Sequence, residues 1–71
     1  MRILVIGEGA RENALVWKIA QSSLVDTLYC ASGNAGTAEY AENIPIHSSD
    51  IEGLAQFAET HAIDQIGRAH V

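Results

Sequence analysis

A short glycine-containing turn is the part of this sequence whose residue types and spacing could do chemistry. It contains Gly7 and Gly9, ends at Glu12, and directly follows the apolar run 3–6. Glycine permits a tight turn and lets backbone N–H groups approach an anion closely. A helix N-terminus here would add about half a positive charge, and Arg11 would add a full one. The turn therefore predicts a phosphate site, although any strand-to-helix turn can need glycine for its geometry alone.

The same turn does not fit a dinucleotide-binding site. Glu12 stands where the Gly-x-Gly-x-x-Gly fingerprint has its third glycine. Residues 31–33 (Ala-Ser-Gly) stand where an acid would hold a ribose hydroxyl. A fragment of an NAD(P)-dependent oxidoreductase is therefore the less favoured alternative. Glu12 is instead suited to accept a hydrogen bond from a sugar hydroxyl.

A second loop of small residues follows the second predicted strand. This loop, from Ala31 to Thr37, contains Gly33, Asn34, Gly36 and Thr37. Ligands of open α/β sheets bind at the carboxyl ends of the strands. The two loops are therefore expected to lie at the same edge of the sheet.

Changes in hydrophobic period predict the elements that would position these loops. Residues 3–6 and 27–31 read as buried strands, residues 11–21 as a helix, and residues 37–42 as a helical turn. A Ser-x-x-Glu capping box from Ser49 to Glu52 predicts the start of a second helix, and Ile63 is expected to open a third strand. The expected fold is α/β, the beginning of a doubly wound parallel sheet.

Each predicted helix has an apolar stripe. In the first it comprises Ala14, Leu15, Ile19 and Ala20, with Val16 beside them; in the second it comprises Ile51, Leu54, Ala55, Ala58 and Ala62. These stripes are expected to cover the sheet.

Composition excludes several classes of function. The 71 residues include 4 Lys+Arg against 9 Asp+Glu, a net charge of −5, which disfavours nucleic acid and anionic membranes as partners. Cys30 has no second cysteine to pair with and is expected to be a small buried residue. Because the three histidines are scattered, no metal site is predicted. The apolar start is too short for a signal peptide, which favours a cytoplasmic location.

Residues 3–38 resemble the N-terminal domain of the phosphoribosylamine-glycine ligase family. The resemblance is carried by Val5-Ile6-Gly7-x-Gly9-x-Arg11-Glu12, Ala14-Leu15-x-Trp17-Lys18-x-Ala20-Gln21-Ser22 and Gly33-Asn34-Ala35-Gly36-Thr37-Ala38. The chain departs from the family pattern at Ala10, Asn13 and Ser32, where glycine, histidine and proline are usual.

The resemblance implies a Rossmann-like (pre-ATP-grasp) domain of an ATP-dependent ligase in purine biosynthesis. Residues 1–64 would be a partial N-terminal substrate-binding domain that helps to hold phosphoribosylamine. By resemblance, the phosphoribosyl-binding residues would be Gly7, Gly9, Arg11, Glu12, Gly33, Asn34, Gly36 and Thr37. ATP and Mg²⁺ would bind to later domains that this chain lacks. No catalytic residue can therefore be assigned, and the fragment is expected to be inactive. A free-standing anion-binding module is the alternative.

Residues 65–71 do not continue the family pattern, which has an apolar strand followed by Gly-Pro-Glu. Back-translated, the segment resembles one reading frame of a common sequencing adapter, so we interpret it as a non-native tail; a divergent natural terminus is the alternative. Ile66 and Val71 are nevertheless apolar enough to draw the tail alongside the first strand.

Overall fold

Strands and helices alternate along the chain in the computed structural model, which describes residues 1–7 and 9–68. The elements are β1 (Arg2–Gly7), α1 (Ala10–Ala20), β2 (Thr27–Ser32), a 3-10 turn (Thr37–Glu39), β3 (Glu42–Ile44), α2 (Ile51–Thr60) and β4 (Gln65–Arg68). The strands form one parallel sheet in the order β3-β2-β1-β4. The predicted α/β fold is confirmed.

The helices cover opposite faces of this sheet, as a doubly wound arrangement requires. Val16 of α1 packs in a buried cluster with Ile3 and Val5. Leu54 of α2 packs with Leu4 and Ile6 in a second cluster. Because neighbouring residues of β1 point to alternate faces, one strand supplies the centre of both clusters. This explains why residues 3–6 are apolar without interruption.

Strand β3 was not predicted. It has only three residues, of which Ile44 is buried, and Pro45 follows it. A strand this short carries no alternating pattern, and proline is tolerated at a sheet edge because no N–H is needed there. The helical turn predicted for residues 37–42 is present as the shorter 3-10 turn.

The predicted stripe of α1 was partly wrong. Val16 is fully buried, and Leu15 and Ile19 pack against its cluster. Ala14 and Ala20 are exposed. The larger side chains bury more apolar area than alanine does, and they therefore decide which face of the helix meets the sheet.

The prediction for α2 was wrong at both ends. The N-cap is Asp50 rather than Ser49, and Asp50 Oδ1 accepts a hydrogen bond of 2.9 Å from Gly53 N. Ile51 is 68% exposed, and Ala55 is also exposed. Leu54 and Phe57 form the covering face instead. Leu54 and Phe57 bury more apolar area than alanine does, so they decide which face of the helix meets the sheet.

Helix α2 ends in a Schellman turn, so Ala62 is not a helical residue as the predicted stripe required. Ala62 has a φ of +52°, its N–H donates to Glu59 O, and the N–H of Ile63 donates to Ala58 O at 2.9 Å. Ile63 packs against the core but precedes the strand, which begins at Gln65. The expectation that Ile63 opens the third strand was therefore wrong.

The first residues of the segment interpreted as a tail form β4. Leu4 is paired with Ile66, and Ile6 with Arg68. This confirms that residues 65–68 lie beside the first strand. Ile66 is still 55% exposed, so it contributes little burial. Val71, the other residue expected to hold the tail, lies outside the described residues.

Candidate ligand-binding cleft

A cleft of about 470 Å³ opens at the carboxyl end of β1. Its lining residues are Ile6, Gly7, Gly9, Glu12, Ser48, Ser49 and Arg68. They come from the end of β1, the start of α1, the loop before α2 and the end of β4. The cleft thus lies where open α/β sheets bind their ligands.

Glycine is required at the first position of the turn by geometry. Gly7 has a φ of +142°, and a Cβ atom there would overlap the Glu12 carboxylate. Gly9 is the N-cap of α1 and provides no side chain to cap it. Glu12 therefore folds back over the turn, where the helix dipole favours a negative charge. At this point the cleft presents a hydrogen-bond acceptor, which suits a hydroxyl or amine of a ligand better than a phosphate.

Positive charge reaches the cleft from a residue that the sequence analysis did not select. Arg68 lines the cleft, whereas Arg11 is exposed and does not. Ser48 and Ser49 add hydroxyl groups, and Ser49 Oγ lies 2.7 Å from His47 Nδ1. Two consecutive serines before a helix could have indicated hydroxyl groups in the cleft, but the capping-box pattern assigns Ser49 to the start of the helix only. Arg68 was missed because residues 65–71 were left out of the fold prediction.

The second loop is held by its own polar groups. Asn34 Oδ1 accepts hydrogen bonds from Gly36 N at 2.8 Å and Thr37 N at 3.1 Å. Thr37 is fully buried, and its hydroxyl accepts from Asn34 N at 2.8 Å and donates to Asn43 Oδ1 at 2.7 Å. The Thr37 hydroxyl is therefore engaged within the protein, in a network that fixes the shape of the loop.

The two loops touch each other. Gly33 N donates a hydrogen bond of 3.1 Å to Gly7 O. The side-chain amide of Asn13 occupies the position that a Cβ atom on Gly36 would take. The structure thus brings the predicted loops together at one edge of the sheet.

The predicted site residues separate into two groups. Gly7, Gly9 and Glu12 line the cleft. Arg11, Gly33, Asn34, Gly36 and Thr37 do not line it.

Two features of the described part of the chain bear on function. No group of three or more His, Cys, Asp or Glu side chains is placed to hold a metal ion. Neither helix there has the length and apolar character needed to cross a membrane.

Comparison with known proteins gives one consistent result. Residues 1–67 match the family described as phosphoribosylglycinamide synthetase, N domain. The chain is 55% identical over 65 residues to a phosphoribosylamine–glycine ligase of Yersinia pestis, with 89% of this chain covered. It is 52% identical over 66 residues to that of Escherichia coli K12, and 50% over 64 residues to that of Rhizobium meliloti, with 90% covered in both.

The matched region is a small part of each relative. The chain spans about 15% of the length of the curated relatives it matches. The family match nevertheless covers nearly the whole chain, including the glycine turn and the second loop. This chain belongs to the family of the phosphoribosylglycinamide synthetase N domain.

Proposed function

We propose that this chain supplies the phosphoribosyl-binding part of an ATP-dependent ligase that joins glycine to 5-phosphoribosylamine, giving glycinamide ribonucleotide in purine biosynthesis. The observation that carries the proposal is the cleft at the carboxyl end of β1, which the glycine turn lines. The three relatives named above are each called phosphoribosylamine–glycine ligase, which supports the identity of the reaction.

The role of each site residue in this proposal depends on whether the residue lines the cleft. Gly7, Gly9 and Glu12 line the cleft and would contact the ligand, with the Glu12 carboxylate accepting from a sugar hydroxyl or the amine. Arg11, exposed in the first turn of α1, would attract the phosphate over a longer distance. Gly33, Asn34, Gly36 and Thr37 would hold the glycine turn in position through the contact between Gly33 and Gly7.

ATP and Mg²⁺ are assigned to residues other than those described here. Among the described residues, no group of three or more His, Cys, Asp or Glu side chains is placed to hold a metal ion by itself. In this proposal ATP and Mg²⁺ bind to parts of the relatives beyond the 15% matched here, and the reaction takes place in the cytoplasm.

Binding is tested with ribose 5-phosphate as a stable probe, followed through backbone amide chemical shifts. We expect shifts centred on Gly7, Gly9 and Glu12, and smaller ones for NAD at the same concentration. Glu12→Gln removes the negative charge from the cleft and should change the affinity for ribose 5-phosphate. Glu52→Gln, in the first turn of α2, is the matched control and should leave that affinity unchanged. Stronger shifts with NAD than with ribose 5-phosphate would favour the oxidoreductase alternative.

Activity is tested separately on the same purified chain. We expect no ADP formation from ATP, glycine and phosphoribosylamine, because this proposal assigns ATP and Mg²⁺ to parts of the relatives beyond the matched 15%. Glycine-dependent ADP formation by the chain alone would contradict this part of the proposal.

The extent of the native domain needs a genetic test. We propose that residues 1–64 are native and that 65–71 are not; the family match extends to residue 67, three residues into that segment. Sequencing the encoding locus beyond the Asp64 codon decides between the alternatives. A frame that continues into an apolar strand and Gly-Pro-Glu supports a ligase fragment, and a stop codon after Val71 supports a free-standing module.

A further inference from the structure

A histidine and a serine are paired beside the ligand-binding cleft. Ser49 lines the cleft, and its hydroxyl oxygen lies 2.7 Å from His47 Nδ1. The backbone N–H of Ser49 donates to the same ring nitrogen at 3.1 Å. Asp50 N donates to His47 O at 2.9 Å, and Ile51 N donates to Ser49 O at 3.0 Å. The backbone of this turn therefore keeps the imidazole ring and the hydroxyl group opposite each other.

The hydrogen bond from Ser49 N determines which ring nitrogen of neutral His47 carries the proton. A ring nitrogen that accepts a hydrogen bond has no proton of its own, so neutral His47 is protonated at Nε2. The Ser49 hydroxyl must then supply the hydrogen for its contact with Nδ1. Its oxygen has only lone pairs left for a molecule in the cleft, and Ser49 is therefore an acceptor in this state.

Protonation of His47 reverses the arrangement. Both ring nitrogens of a protonated histidine are donors, so Nδ1 donates to Ser49 Oγ and the hydroxyl hydrogen is released toward the cleft. Ser49 N loses its acceptor, but Ser49 is exposed and water can replace it. Ser49 thus becomes a donor. An acceptor suits a sugar hydroxyl or an amine, whereas a donor suits a phosphate.

The charged side chains around this pair come from three elements. Glu12 of α1 and Arg68 of β4 line the same cleft, and Asp50 is the N-cap of α2. The Asp50 carboxylate accepts from Gly53 N and so is engaged by its own helix. Glu12 already provides an acceptor in the cleft. The phosphate of a ligand needs a donor instead, and the Ser49 hydroxyl provides one when the neighbouring histidine is protonated.

We propose that Ser49 contacts the phosphate of a phosphoribosyl ligand and that His47 is a positioning residue, which sets whether the Ser49 hydroxyl accepts or donates. This inference rests on the proposed function, because it takes a sugar phosphate as the ligand. It adds that phosphate binding strengthens when His47 is protonated, a change that histidine side chains undergo between about pH 5 and pH 8.

Binding of ribose 5-phosphate, measured by amide chemical shifts at about pH 8 and about pH 5.5, tests the role of Ser49. The affinity of the unmodified chain is divided by that of Ser49→Ala at the same pH, so titration of the probe and of other groups cancels. We expect this ratio to be about tenfold larger at the lower pH, the effect of one hydrogen bond to a charged group. Ser23→Ala, at an exposed serine outside the cleft, is the matched control and should leave the affinity unchanged at both pH values.

The role of His47 is tested by a variant that cannot gain a proton. In a His47→Gln background, adding Ser49→Ala should have the same effect on affinity at both pH values. The imidazole ¹⁵N chemical shifts of the unmodified chain at about pH 8 should show the proton of His47 on Nε2. Circular dichroism establishes that each variant is folded.

Two results would overturn this inference alone. One is an affinity ratio that does not change with pH, while ribose 5-phosphate still shifts the amides of Gly7, Gly9 and Glu12. The other is a neutral His47 that carries its proton on Nδ1. A probe that shifts none of those three amides at either pH would overturn the proposed function together with this inference.

Discussion

The amide nitrogen of Gly33 donates a hydrogen bond of 3.1 Å to the carbonyl oxygen of Gly7, joining the loop after β2 to the turn after β1. Gly7 is paired with Ser32 in the sheet, so this bond continues the register of the two strands by one residue. The shape of the cleft therefore depends on a loop that does not itself line the cleft.

Replacing Gly33 tests this dependence. Gly33 has a φ of +78°, and a Cβ atom there would overlap Asn43 Oδ1 and crowd Thr37 Oγ1. Gly33→Ala should lower the free energy of unfolding by at least about 1–2 kcal/mol from backbone strain alone. Urea unfolding measures the loss. Gly9→Ala is the control, because its Cβ atom would meet only the flexible end of Glu12 at 3.3 Å. Equal losses in both variants would contradict the assigned role of Gly33.

The N-cap of α2 can be identified by two alanine substitutions. Asp50→Ala removes the acceptor for Gly53 N and should cost about 1 kcal/mol of stability. Ser49→Ala should cost less, because Ser49 Oγ is near His47 Nδ1 and does not cap the helix. Thermal or urea unfolding of both variants separates them. A larger effect at Ser49 would restore the capping box predicted from the sequence.

Ala62 offers a stabilising substitution. Its φ of +52° costs a residue with a Cβ atom about 1 kcal/mol that glycine does not incur. Ala62→Gly should therefore raise the free energy of unfolding by up to that amount, less the greater freedom of glycine in the unfolded chain. Ala55→Gly, at an exposed position within α2, should instead destabilise. Destabilisation by both substitutions would show that the Schellman turn is absent.

The first residue and Asp26 form an ion pair whose contribution depends on pH. The N-terminal ammonium of Met1 donates a hydrogen bond to Asp26 Oδ2, and this bond lowers the pKa of Asp26 below the ordinary value of an aspartate. A carboxyl group with a lowered pKa stabilises the folded state above its unfolded-state pKa, and this contribution disappears as pH falls through the folded-state pKa. The unfolding midpoint of Asp26→Asn should thus lie below that of the unmodified chain at pH 6 and approach it at pH 2–3. A constant difference across this range would rule out the ion pair as its cause.

A sequence pattern predicts an element when a single structure accounts for it. Residues 3–6 are apolar without interruption because helices cover both faces of β1, and such a run indicates a buried strand. The start of α2 was missed by one residue because Ser49 and Asp50 are both good caps, and only the hydrogen bond to Gly53 distinguishes them.

The candidate site was predictable to a similar extent. The glycine turn follows from Gly7 and Gly9, since strand, turn and helix are contiguous. Ser48 and Arg68 reach the cleft only through the packing of α2 and β4, which depends on contacts distant in sequence. The burial of Thr37 likewise depends on Asn43, in a strand too short to be recognised.

Strand β4 provides the last prediction, which concerns Gly67. Glycine weakens a strand because it gains no packing and loses much conformational freedom on folding. A Cβ atom at Gly67 would meet Leu15 and Val5 at 4.0 Å, which is ordinary contact. Gly67→Val should therefore raise the free energy of unfolding by about 1–2 kcal/mol, through added apolar burial and strand propensity.

Urea unfolding measures this gain. Gln65→Val is the matched control, because residue 65 is exposed and should gain less. If Gly67→Val leaves both the midpoint and the slope unchanged, β4 already pairs as well as a native strand. In that case the interpretation of residues 65–71 as a foreign tail would lose its physical support, since a segment unrelated to the fold should improve when an apolar side chain fills the space beside Leu15.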